Sequence, residues 1–159
     1  MAITDNYNLK TLDSINKKDW DQFVYNHPHG NIFQTSGMNE VFKRTKNYEP
    51  IALAVLNESN NIVALTQAHV IKEISGPLGT FTSRSVMTGG PLYIEGNEGK
   101  ESLKILMEHY NKIAKKKALY TQIRNMWDTG VATLPNALKD TSPVMLLKKR
   151  KRTHHMAVS

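Results

Sequence analysis

The chain is 159 residues long, enough for one domain with a real core and too few for two comfortable ones. Apolar residues make up 40% and charged residues 22%, values of an ordinary folded protein, and no stretch nears the roughly 20 apolar residues that cross a bilayer. Cysteine is absent, which excludes disulfides, thiolate catalysis and cysteine zinc sites; much of the formal +7 charge gathers in LKKRKR, from Leu147 to Arg152, with a smaller cluster at Lys115, Lys116 and Lys117.

The first residues, MAITDNYNLK, carry no apolar signal-peptide core, so the reading is an intracellular, cytoplasmic protein. Asn16 to Asp19 resembles a capping box, and Trp20, Phe23 and Val24 follow at helical spacing, which predicts a first helix over about 17–26. HPHG stops it, because proline and glycine resist continuation. NIFQT then reads as a short extended stretch. Thr35 or Ser36 caps a second helix, with Met38, Val41, Phe42 and Thr45 on its inner side, ending before Glu49 and Pro50.

IALAVL reads as a buried strand, NESNN as turn chemistry and IVALTQAHVI as the returning strand of a hairpin. A third strand, carried by SVMT and LYI, is bent or bulged at Gly89 and Gly90. The clearest helix covers about 98–117, where Leu103, Leu106, Met107, Tyr110, Ile113 and Ala114 form one apolar stripe. ALYTQIRNMW is the strand after it. Beyond Trp127 the pattern weakens to a short helix around 135–139, a strand at VMLL and a disordered end. Domains are accordingly placed at 1–128 and, for the divergent basic tail, 129–159. The element order is antiparallel strands first and a helical crossover last.

Several strings look familiar together: WDQFV with HPHGNIFQT, YEPIALAV, TSRS with GGPL, and LYTQIRN. In order, over about residues 20–128, they resemble the FemAB-related group, the peptidoglycan-bridge aminoacyltransferases and their relatives. The resemblance implies an α/β GNAT-like (N-acyltransferase) mixed sheet flanked by helices, incomplete at its C-terminal side. It also implies transfer of an acyl or aminoacyl unit to an amine-bearing substrate, with acyl-CoA or aminoacyl-tRNA as donor and tRNA as a partner. Where CoA-binding members carry Q/R-x-x-G-x-G/A, this chain has IEGNEGKES, with Gly96 and Gly99 at another spacing. The competing readings are a noncatalytic binding domain, a fragment of a two-domain transferase, and a nucleic-acid binder driven by KKRKR.

The strand ALYTQIRN turns polar at its carboxyl end, the end where open α/β sheets bind ligands. Gln122 and Arg124 share one face, and Thr121, Ile123 and Asn125 the other. Arg124 is suited to hold a phosphate or carboxylate in two-pronged fashion, with Gln122 and Asn125 as donors to a carbonyl. The alternative is a structural network closing the strand end, with Asp128 as a carboxylate for Arg124. In TSRSVMTGGPL, Arg84 and Ser85 precede Gly89 and Gly90, where missing side chains admit a close approach; the bland reading there is a turn. His27 with His29, and His154 with His155, lack a third metal ligand. His69 reads as a sheet residue, and Glu73 is a candidate base only if buried. No covalent nucleophile stands in a recognisable context, which suits direct attack by the acceptor amine.

Overall fold

The computed structural model describes residues 7–72, 83–124 and 145–148. The chain forms β1 (Asn8–Thr11), a 3-10 turn (Leu12–Ser14), α1 (Lys17–Asn26), a second 3-10 turn (Ile32–Gln34), α2 (Ser36–Arg44), β2 (Tyr48–Leu56) and β3 (Ile62–Ile71). There follow β4 (Arg84–Thr88), β5 (Leu92–Tyr93), α3 (Asn97–Ala114), β6 (Tyr120–Arg124) and β7 (Met145–Lys148). One sheet runs in the order β1-β2-β3-β4-β6-β7, with β5 on β3. Its first strands pair antiparallel; β4–β6 and β6–β7 pair parallel.

Alternation along the strands gives the sheet two covered faces. Leu53, Val55, Ala68, Met87 and Ile123 point to α3 and meet Leu103, Leu106, Met107 and Tyr110, the expected stripe, all four fully buried. Each such side chain contributes about 1.5–3 kcal/mol by leaving water. The opposite face packs Ala54, Leu65 and Leu92 against Leu12, Trp20 and Val24. Helix α3 seats closely because residue 99 is glycine: a Cβ there would lie 1.7 Å from the Ile94 carbonyl oxygen.

Helix α1 spans the expected residues, and the Asn16 side chain accepts from the Lys18 N–H at 2.9 Å. Two expectations before β2 do not hold in full. NIFQT is a 3-10 turn and not an extended stretch, because Asn31 and Gln34 make a reciprocal capping box. In α2 the expectation fails in part: Phe42 is buried and Met38 half-buried as read, but Val41 is 53% exposed and Thr45 is exposed, and Ser36 and Asn39 are buried instead. The helix is rotated from its apolar reading because Asp21 holds its first turn, accepting from the Ser36 N–H at 2.7 Å and hydroxyl at 2.6 Å. Strand β1 was not anticipated, and the VMLL strand is the parallel β7.

Candidate functional site

Parallel strands β4 and β6 run in register from Arg84–Tyr120 to Thr88–Arg124. The Gly89 N–H then donates to the Arg124 carbonyl at 2.7 Å, and the two chains part. Gly89 and Gly90 turn through φ of +94° and +76°, and pairing with β3 resumes at Leu92 two residues out of step with β4. Only glycine takes such angles cheaply, so the bend expected at this pair is a true bulge, and it opens the sheet at the carboxyl ends of two parallel strands.

Gln34 holds the bulge in place. Fully buried, it donates from Nε2 to the Gly90 carbonyl at 2.7 Å and accepts at Oε1 from the Asn31 N–H at 3.0 Å and Nδ2 at 2.8 Å. Trp20 Nε1 donates to the Gln34 carbonyl at 2.8 Å, tying α1 to the same bracket. The space beside Gly89 belongs to the chain itself: a Cβ there would lie 2.2 Å from Asn31 Nδ2.

The seven expected site residues do not all meet. Gln122 and Arg124 share a face as read, and Arg124 Nη2 donates to Gln122 Oε1 at 3.0 Å in an exposed setting beside the bulge. Ser85 and Thr121 face α3 instead, where Tyr110 Oη lies 2.7 Å from Ser85 Oγ and 3.1 Å from Thr121 Oγ1 in a buried cluster. Arg84 pairs with Tyr120 at the start of β4, about 13 Å along the strand from Thr88. Asn125, Asp128, Glu73, His154, His155, the 135–139 helix and the KKRKR end beyond Lys148 lie outside the described residues. Of the smaller basic cluster, Lys117 pairs with Glu49, which Lys72 also meets at 3.0 Å.

His69, on the Gln122 side of the sheet, is 8% exposed and clusters with Phe42 and Tyr48, its ring centroid 4.1 and 5.1 Å from theirs and theirs 6.1 Å apart. Burial, with a smaller push from Arg124, lowers its pKa to about 4, so the ring is neutral at pH 7. His27 is fixed as one tautomer. Its Nδ1 accepts from the His29 N–H at 3.1 Å, so Nε2 is the donor to the Tyr93 carbonyl at 3.0 Å. Burial again lowers its pKa. Among the described residues no group of three metal-ligating side chains comes together.

A cleft of about 1080 Å³ opens beside the bulge, which sequence reasoning missed. Gly89, Pro91 and Tyr93 form one wall; α1 contributes Asp19, Gln22, Phe23 and Asn26, with His27 just past its end, and the β2–β3 turn Asn60 and Asn61. The α1 residues recur three or four apart, a spacing that puts them on one side of the helix. That pattern was the available signal.

The sequence resemblance implies that an acyl-CoA pyrophosphate, if one binds, would sit at the α3 N-terminus. Gly96 caps that helix at φ +93° with no side-chain hydrogen bond, and a Cβ there would meet nothing within 4 Å. The first-turn N–H groups thus fit an anion, although Glu98 stands in the same turn.

Neither a protein-family model nor a curated protein sequence matches the chain. Solved structures do. An acetyltransferase of Trypanosoma brucei aligns over 93% of this chain and 100% of its own, at 12% identity and TM-score 0.61. An aminoglycoside 6'-N-acetyltransferase of Acinetobacter baumannii aligns over 92% and 99%, at 14% and 0.56. A third, an aminoglycoside N-acetyltransferase in complex with CoA, aligns over 95% and 100%, at 10% and 0.56. The chain has the GNAT acetyltransferase fold.

Proposed function

We propose that the chain is a GNAT-type N-acyltransferase whose amine acceptor lies in the cleft beside Gly89. The observation that carries this reading is a large cleft between α1 and the Gly89–Gly90 bulge, in a chain whose fold neighbours are acetyltransferases. Acyl-CoA would supply a thioester carbonyl, with its pyrophosphate on the N–H groups from Asn97 to Gly99. The chain's own residues position and desolvate. Gln34 and Asn31 fix the bulge that forms the cleft wall; His27, neutral and bonded to Tyr93, keeps α1 against β5 without adding charge. A neutral amine attacks directly: an N–C bond forms, the C–S bond breaks, and the thiolate leaves while the nitrogen loses its proton to solvent. Arg124 and Gln122, at the strand ends and outside the lining of that cleft, hold an anionic or carbonyl group of the donor.

The finer reading is a FemAB-related enzyme, with aminoacyl-tRNA as donor and a peptidoglycan-precursor amine as acceptor, in the cytoplasm. It is supported by the WDQFV-to-LYTQIRN strings and not by the neighbours' chemistry. No helix among the described residues is long and apolar enough to cross a membrane. The test is to incubate the full chain with acetyl-CoA, or with alanyl-tRNA, and a panel of amines, and to read acylated product by mass spectrometry. Product from acetyl-CoA alone selects the general reading, and product from alanyl-tRNA the finer one. Arg124→Ala should raise KM at least about fivefold. No product from either donor overturns the proposal and favours a noncatalytic domain.

A further inference from the structure

The cleft's side chains select a class of acceptor, on the footing of the acyl-transfer reading above. Gln22 and Asn26 lie one helical turn apart on α1, and Asn61 faces the same cleft from the β2–β3 turn. Each amide offers two N–H donors and a carbonyl acceptor, matching a hydroxyl group, which both donates and accepts. Phe23, half-buried and stacked on His27 at 5.9 Å, adds a flat apolar surface. Asp19 and Glu95 line the cleft with negative charge.

Against those two carboxylates stands one cation, Lys10. A phosphate-rich ligand would therefore meet net repulsion here despite the chain's +7 charge. A purely apolar amine would strip water from the amides without replacing their hydrogen bonds. We infer that the cleft takes a hydroxyl-rich amine of amino-sugar type, its hydroxyls on Gln22, Asn26 and Asn61 and its ammonium toward Asp19 or Glu95 until it gives one proton to solvent and attacks as the neutral amine.

The experiment is amide-resolved NMR titration of the full chain with four probes: D-glucosamine, D-glucose, cyclohexylamine and glucose 6-phosphate. Saturable shifts on α1 and the β2–β3 turn are expected with glucosamine, at least about tenfold tighter than with the other three. Asp19→Asn combined with Glu95→Gln, both at exposed positions, should weaken glucosamine at least about fivefold and leave glucose unchanged. Equal affinity for cyclohexylamine or the phosphate, no shifts with glucosamine, or a double variant that binds it normally would overturn the inference. Acetyl transfer to a non-sugar amine, undisturbed by the double variant, would overturn it while leaving the acyltransferase reading intact. Glucosamine binding with no transfer to any amine would do the reverse.

Discussion

Replacing Gln34 with methionine keeps the length of the side chain and removes the bracket behind the Gly89–Gly90 bulge. The Gly90 carbonyl, in a buried bond, loses its 2.7 Å donor, and the half-buried Asn31 N–H and Nδ2 lose their common acceptor. A buried group left without a partner costs about 1–3 kcal/mol, and the half-buried pair recovers part of its loss from water. The sum is about 2–4 kcal/mol, equivalent to a fall in Tm of about 5–15 °C for a chain of this size. Urea unfolding should show a lower midpoint with an unchanged slope, since the surface exposed is the same. A loss below about 1 kcal/mol, or acceptor binding in the cleft indistinguishable from wild type, would refute the idea that this one amide shapes the site.

His69 should make the protein acid-sensitive. Its folded pKa, about 4, lies below the ordinary 6.5, so the unfolded chain binds the proton more tightly; the stabilisation is full above about pH 6.5 and falls by about 3 kcal/mol on acidification to pH 4. His69→Phe keeps the aromatic stack and should flatten that part of the pH–stability curve, leaving the slope due to His27; identical curves would contradict the assignment. Two glycines near α3 should respond differently to alanine. Gly99→Ala drives a methyl into the Ile94 carbonyl and should cost over about 3 kcal/mol, whereas Gly96→Ala meets only open space and backbone strain of about 1–3 kcal/mol; a larger loss for Gly96→Ala than for Gly99→Ala in thermal melts would dismiss this packing. Glu98→Gln removes a negative charge from the α3 first turn and should tighten CoA binding about two- to fivefold by calorimetry, a gain absent if the pyrophosphate binds elsewhere.

Much of the fold was legible because it depends on local pattern. The α3 stripe, the β2–β3 hairpin around NESNN and the double glycine each carry their own signal, and all three stand where read. Strand β1 was not legible: NLKT is a short edge strand recruited by pairing with Leu53–Leu56, and pairing is not a local property. Helix α2 was misread in part by periodicity because Asp21, fifteen residues earlier, fixes its rotation. The N-x-x-Q spacing at Asn31–Gln34 is a local signal of the capping box, but its tie to the bulge runs to Gly90, 56 residues on, and is not local. Alternation correctly put Gln122 and Arg124 on one face of β6. It could not show that Ser85 and Thr121 share Tyr110 on the other face, since that depends on the register between β4 and β6 and on the helix above them. Arg84 and Arg124 are near-equivalent as letters and lie at opposite ends of paired strands.

The central claim is that an amine reacts from the cleft between α1 and the bulge. Asn26 lines that cleft and is exposed at the end of α1, so Asn26→Trp fills the space without disturbing the core. For the amine acylated best by the wild-type protein, KM should rise at least about tenfold in this variant, with Tm and donor affinity unchanged. A KM equal to that of wild type would place the reacting amine elsewhere and contradict the account.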